Sequence, residues 1–399
     1  MSSRVERFGL VGSLYVSQAI PLGFIFVALP AILARRGVPE EQIGLLGALS
    51  LPWLIKFLWA PAVDRFGSAR GHYRSWLIPL QLLSVATVAA LALFNLDDGL
   101  GPLLGCIAAF MFFSATQDIA TDGLAVRNLR PEERGLGNGI QVGGYYLGQI
   151  LGGAAILLVF ARAGWAAAVL TMSLLLALPL VQVLRFREPA YEKQAGERVS
   201  MGALVAFMRR PGNGSWILVL LLYRAGESTA LLMVNTLLID RGFSLEQVAV
   251  TLGAAGSVAS LIGALVAGAA IGRLGRRAAL LTFGTLQALA LLAYRFLDVP
   301  APEWGVVLGA VILVAFCSSM ATGALYTHMM DRSEASTAST DFTLQQSFAA
   351  LGPAIGAGFS GFSVAAFGYA THFTICAGVA ALAVLLVALR IRPRPVSAA

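Results

Sequence analysis

Twelve stretches of this chain, most of them about twenty residues or longer, are apolar almost throughout. They lie near residues 8–33, 42–62, 75–95, 102–126, 136–160, 165–184, 214–239, 246–270, 278–297, 305–329, 341–365 and 368–389. A helix crosses ~30 Å of hydrocarbon with roughly 20 apolar residues. In lipid the backbone has to satisfy its own hydrogen bonds, which a helix does within one segment. The prediction is an all-α membrane protein with twelve transmembrane helices. Composition agrees: charged residues make up 12% of the chain, against about 25% in a soluble domain. That much charge cannot cover a water-soluble globule, which excludes a soluble enzyme, a disordered chain and a nucleic-acid-binding domain.

Most connections are short. The exception is 185–213, a polar stretch that divides the chain into an N-terminal six-helix bundle (1–184), a cytoplasmic linker (185–213) and a C-terminal six-helix bundle (214–399). Within it Met201, Leu204, Val205 and Met208 recur at helical spacing before Arg209 and Arg210. This reads as an amphipathic helix on the inner leaflet. With a cytoplasmic N-terminus, 21 of the 28 basic residues fall on the inner face, five on the outer face, and Lys56 and Arg224 inside spans. Basic residues concentrate on cytoplasmic loops, so both termini are expected in the cytoplasm. The net charge of +7 is then a topology signal rather than a nucleic-acid footprint. Arg4 and Arg7 precede an apolar run too long for a signal-peptide core, so the first run is expected to be a spanning helix. The three cysteines have no metal-ligand spacing, and no cofactor or metal is expected.

The halves repeat at an offset of 204 to 208 residues. Ala62-Val63-Asp64-Arg65-Phe66-Gly67, with Arg70, Gly71 and Arg74, answers to Ala270-Ile271-Gly272-Arg273-Leu274-Gly275 with Arg276 and Arg277. Gln141 and Leu147-Gly148-x-x-Leu151-Gly152 answer to Gln345 and Leu351-Gly352-x-x-Ile355-Gly356. The glycines suit tight turns, and the arginines suit an anionic inner leaflet. Two parallel six-span repeats related by an axis along the membrane normal fit this pattern.

The 6+6 spans, the long central loop and the D-R-x-G-x-x-R-type loop after spans 2 and 8 resemble the major facilitator superfamily over the whole chain. A narrower resemblance rests on Leu51-Pro52-Trp53-Leu54-Ile55-Lys56-Phe57-Leu58-Trp59-Ala60-Pro61, Ser114-Ala115-Thr116-Gln117-Asp118-Ile119-Ala120-Thr121-Asp122-Gly123 and Glu133-Arg134-Gly135-Leu136-Gly137-Asn138-Gly139. These strings are similar to the branch holding muropeptide permeases, acetyl-CoA transporters and siderophore importers. The resemblance implies an alternating-access transporter in a bacterial inner membrane, monomeric, with a small-molecule substrate. The form of the Asp118–Arg127 string resembles the siderophore importers more closely, so a siderophore or its ferric complex is the first expectation. A muropeptide is the alternative.

An ionisable residue inside a span costs at least ~2.5–3.5 kcal/mol on insertion scales, so each needs a partner or a task. Asp118 and Asp122, four residues apart on span 4, share a helix face. The resemblance makes spans 2 and 4 neighbours, so Lys56 is expected to pair with one of them, either as a static strut or as part of a proton site. Arg224 and Glu227, three apart near the middle of span 7, are either a buried pair or a substrate-anion and proton site. The intramembrane carboxylates Glu227 and Asp118 motivate an expectation of proton coupling, and import is what the resemblance implies. His328 and Asp331 read as an interfacial pair or a gate, and Asp341 as an N-terminal helix residue. Tyr15, Gln18, Gln141, Tyr145, Tyr146, Gln149, Tyr326 and Gln345 either line a pathway or bond between helices. The loop motif, Asp64, Arg65, Gly67, Arg70, Arg74, Arg273 and Gly275, is expected to act in gating. The small-residue stripes Gly144/Gly148/Gly152 and Gly256/Ser260/Ala264/Gly268 are expected to let span 5 slide on span 8.

A polytopic membrane transferase is the rival of another class. It would need a nucleophile with its base, or a metal cluster, and three histidines without metal-ligand spacing do not provide one. A pore-forming channel would not require a 6+6 repeat with a bridge. A non-enzymatic transporter is the reading the residues favour.

Overall fold

The computed structural model describes residues 3–39, 43–68, 71–94, 101–189 and 199–391, and among these every regular element is helical. Among the described residues nine helices are long and apolar enough to cross a membrane. Seven make one crossing each: Arg4–Arg35 (span 1), Arg74–Leu93 (span 3), Gly101–Asn128 (span 4), Asn213–Asp240 (span 7), Leu245–Leu274 (span 8), Arg276–Leu297 (span 9) and Trp304–Arg332 (span 10). Pro131–Arg185 holds spans 5 and 6, and Ala335–Arg390 holds spans 11 and 12. They turn at Gly164 (φ 81°) and Gly368 (φ 76°), in the left-handed region that a Cβ disfavours.

Span 2 completes the twelve, but it is not the single helix expected over 42–62. It runs as Leu45–Ser50, Leu51–Ile55, Lys56–Leu58 and Ala60–Arg65, alternating 3₁₀ and α geometry. Pro52 and Pro61 sit in the first turns of the two α segments. Each lacks an N–H and clashes with the turn before it, so the helix restarts there. Apolarity alone does not reveal such a break. Its consequence is local: Lys56 sits between the two restarts.

The repeat is visible in backbone and side chains alike. Gly37 and Gly242, 205 residues apart, both have positive φ after the first span of their half, and Gly164 and Gly368 are 204 apart. Arg74 donates to the carbonyls of Val183 and Leu184, and Arg277 to those of Ala388 and Ile391, so each arginine ties the third span of its half to the sixth. Gln81 donates to Ser17 Oγ and the Leu176 carbonyl, and Gln287 donates to the Tyr223 carbonyl. Both glutamines are buried.

Contacts divide the chain into two compact units. One comprises Met1–Arg130, Gly144–Ala203 and Ser333–Thr343; the other comprises Pro131–Gly143, Leu204–Arg332 and Leu344–Ala399. The core of the first is built on Phe24, Phe110, Met111 and Met172, with a second cluster around Leu14, Tyr73 and Ile119. Val234, Leu237, Leu291, Val311 and Phe373 centre the core of the second.

The small-residue expectation is met in part on span 8, where Ala264 and Gly268 meet span 5 while Gly256 and Ser260 face Val311 and Ala315 of span 10, and it is corrected on span 5. Gly144, Gly148 and Gly152 face span 1: a Cβ at Gly148 would meet the Val16 carbonyl, and one at Gly152 the Ile20 carbonyl. The span 5 residues that meet span 8 lie nearer its start. A Cβ on Gly139 would come within 2.7 Å of the Ala264 carbonyl and 2.8 Å of the Gly268 Cα, and Gly135 faces Ile271. Both stripes use i, i+4 spacing, so the sequence shows that two close approaches exist without showing which neighbour each one serves.

Candidate functional site

The first unit holds a buried polar cluster made by spans 1, 2 and 4. The break in span 2 presents the Lys56 ammonium to the Asp118 carboxylate, with which it forms an ion pair. The ammonium also lies over the Trp53 ring, 5.0 Å from its centroid. One turn further along span 4, Asp122 accepts a 2.7 Å hydrogen bond from Tyr15. Beside it, Gln18 donates to the Thr121 hydroxyl at 2.5 Å. Lys56, Asp118, Asp122, Tyr15, Gln18 and Thr121 are all buried. The predicted pairing is thus present and goes to Asp118. Gln18 was among the candidates, whereas Thr121 was not. Its signal is weak, because a threonine in a helix commonly bonds its own turn, as Thr121 also does with the Gln117 carbonyl.

In the second unit, span 7 breaks at Arg224. One helix ends at Tyr223 and the next begins at Ala225, and Arg224 itself has φ −105° and ψ −10°. The Arg224 guanidinium lies 3.9 Å from the Glu227 carboxylate, a loose i, i+3 pair whose side chains are 26% and 14% exposed. Ser228 donates to Glu227 at 3.1 Å. The break leaves backbone groups to be satisfied, and Gln287 from span 9 takes the Tyr223 carbonyl at 2.8 Å.

The loop motif resolves into separate tasks. Asp64, in the last helical turn of Ala60–Arg65 and beyond the apolar stretch 42–62, accepts from the backbone N–H groups of Ser339 and Thr340 at 3.1 and 2.7 Å and from the Thr340 hydroxyl at 2.7 Å. A carboxylate at the start of span 11 is favoured by the helix dipole. Tyr73 adds a fourth hydrogen bond at 3.0 Å. Burial still raises the Asp64 carboxyl above its ordinary value, against the pull of the Thr340, Ser339 and Tyr73 hydrogen bonds. A Cβ on Gly67 would run into the His72 ring. Arg65 is exposed and lies over Phe66, Arg273 is exposed, and Gly275 turns the chain with φ 79°. Arg70 lies outside the described residues.

Other candidates are placed as follows. Asp331 accepts from Arg134 at 2.9 Å and Arg276 at 2.7 Å, while His328 packs against the Trp216 ring, with centroids 4.7 Å apart. Gln345 is buried; it accepts from Trp216 at 2.7 Å and donates to the Met329 carbonyl. Asp341 accepts from the Glu334 N–H, closing the turn before its helix. Gln141 is buried on span 5. One turn later Tyr145 is 39% exposed, and Gln149 donates to its hydroxyl oxygen at 2.9 Å.

These features define a polytopic helical protein with internal repeats and charged residues held inside its spans. The family model for the Major Facilitator Superfamily matches residues 11–340 and again 216–399, and the chain belongs to that superfamily. It is therefore a multi-pass membrane transporter and not an enzyme, as the resemblance implied. It is 30% identical over 381 residues to the anhydromuropeptide permease of Escherichia coli, covering 93% of this chain and 77% of that one. An uncharacterized protein of Haemophilus influenzae is 30% identical over 378 residues, covering 90% and 88%. A putative transporter, AmpG 4, of Rickettsia felis is 23% identical over 353 residues, covering 84% of each. The fold is similar to that of the Escherichia coli fucose:proton symporter FucP, with a TM-score of 0.79, 14% identity and coverage of 98% and 100%. It is also similar to the human organic anion transporter MFSD10, with a TM-score of 0.71, 16% identity and coverage of 97% and 100%.

Proposed function

We propose that this protein is a proton-driven permease that imports sugar-peptide fragments of the muropeptide class across a bacterial inner membrane. The observation that carries the reading is the 30% identity to the Escherichia coli anhydromuropeptide permease across 93% of this chain. The siderophore expectation draws no support from these relatives, and the alternative does. The 21-to-5 partition of basic residues supports a chain with both termini in the cytoplasm.

In this reading each buried charge has a task. Arg224 offers a planar fork of donors to a substrate carboxylate, and Glu227 neutralises it when the site is empty. Lys56 and Asp118 already compensate one another. Asp122 takes up and releases a proton, and this exchange couples the gradient to the transport cycle. Asp64 at the start of span 11 and Asp331 between two arginines act as latches that release as the transporter changes state.

Expression in an Escherichia coli strain lacking its own anhydromuropeptide permease tests the assignment. Cells given labelled cell-wall fragments are expected to regain uptake with the wild-type chain and not with Arg224→Gln. Label left in the medium with a well-expressed wild-type protein would refute the substrate class.

A further inference from the structure

Span 5 carries a polar aromatic patch that the tasks above leave unused. Tyr145 and Leu147 are each 39% exposed, yet two residues of helix turn through about 200°. They therefore look out on nearly opposite sides of the span, both close to its middle. A lipid-facing hydroxyl and carboxamide at that depth would be costly, so Leu147 takes the lipid side. Tyr145 and Gln149, one turn apart, take the side of an aqueous path. The stripe Gly144/Gly148 beside them packs span 5 tightly on span 1, which holds the patch on rigid backbone.

The patch has a definite chemistry. The Tyr145 and Tyr146 rings meet edge to face, with centroids 5.5 Å apart and planes at 80°. Gln149 donates one N–H to the Tyr145 oxygen and keeps its carbonyl oxygen and second N–H for a ligand. Tyrosine rings offer a rigid apolar plate with a polar rim at low entropic cost. A pyranose ring matches this with a C–H face bordered by hydroxyls. A primary carboxamide matches an acetamido group, donor to acceptor and acceptor to donor. The patch carries no formal charge at neutral pH, so it suits a neutral moiety rather than a carboxylate.

We infer that Tyr145 and Gln149 form a subsite for the N-acetylated sugar portion of the substrate. This assignment rests on the sugar-peptide reading above. The test is binding to the purified full-length protein in lipid nanodiscs, with three probes: the whole muropeptide, its peptide-free N-acetylated disaccharide, and its stem peptide alone. Tyr145→Ala and Gln149→Ala are expected to weaken the disaccharide at least tenfold and the stem peptide less than twofold. Tyr145→Phe, which keeps the ring and guards against a folding defect, should stay within about threefold of wild type. Equal losses for both fragments, or none, in correctly folded Tyr145→Ala and Gln149→Ala would overturn the subsite while leaving the permease reading intact. A wild-type protein that binds none of the three probes would overturn both.

Discussion

Tyr15 on span 1 donates its hydroxyl hydrogen to Asp122 on span 4 at 2.7 Å, with both side chains buried. One turn away Lys56 holds Asp118, so span 4 carries two buried carboxylates within one turn. Carboxylates this close disfavour each other's ionised form. Asp122 is the one to which the proposed proton exchange is assigned. Asp122→Asn is expected to fold and to lose the dependence of uptake on the proton gradient, whereas Tyr15→Phe keeps that dependence at a reduced rate. Uptake measured across imposed pH gradients checks both.

The Lys56–Asp118 pair makes a sharper stability prediction. Removing one partner strands the other, at a cost of about 3–5 kcal/mol. Lys56→Met alone should lower the thermal midpoint in detergent markedly. The double variant Lys56→Met/Asp118→Leu should recover much of that loss while remaining inactive. A single variant as stable as wild type would remove the pair from the account.

Asp64 ties the end of span 2 to the start of span 11, and its buried carboxyl has a raised affinity for protons. A native state that holds a proton more tightly than the unfolded chain gains stability as pH falls. The gain begins at the raised native value and is complete below the ordinary value of 3.8. Wild type is therefore expected to gain on Asp64→Asn as the medium is acidified, and to lose that advantage towards neutral pH. Melting curves of the two proteins across pH check the sign. Thr340→Val, which removes a hydroxyl donor to Asp64, should enlarge the effect.

The glycine contacts predict a contrast between sites of the same residue type. A Cβ at Gly152 would collide with the Ile20 carbonyl, and one at Gly352 with the Leu221 carbonyl, whereas Gly358 and Gly361 have open space. Gly152→Val and Gly352→Val should abolish folded expression, because backbone cannot withdraw as a flexible side chain can. Gly358→Ala and Gly361→Ala should express at wild-type levels. Size-exclusion profiles of the four variants decide it.

Much of this architecture was legible in the sequence because lipid allows few solutions. Apolar length marked the crossings, and the offset between Asp64-Arg65-Phe66-Gly67 and Gly272-Arg273-Leu274-Gly275 marked the repeat. Lys56 and Asp118 were legible because a buried charge requires a partner. The division of span 2 was not, since Pro52 and Pro61 are compatible with a helix start or a kink inside a longer helix. Nor was the partner of Gly148, because a small-residue stripe records closeness without naming the neighbour. The acceptors of Gln81 and Gln287 are backbone carbonyls in part, which no residue type announces, although their common offset was there to be found. His328 and Asp331, adjacent on one helix, turn to Trp216 and to Arg134 with Arg276. Proximity along a helix permits a pair, and partners distant in sequence decided otherwise.

The central claim is that this chain moves sugar-peptide fragments at the expense of a proton gradient. Uptake of a labelled muropeptide into proteoliposomes with an imposed inward proton gradient tests it most directly. The account predicts accumulation above the external concentration that collapses on adding a protonophore and is lost in Asp122→Asn. Uptake no greater than in protein-free vesicles, or accumulation indifferent to the protonophore, would contradict it.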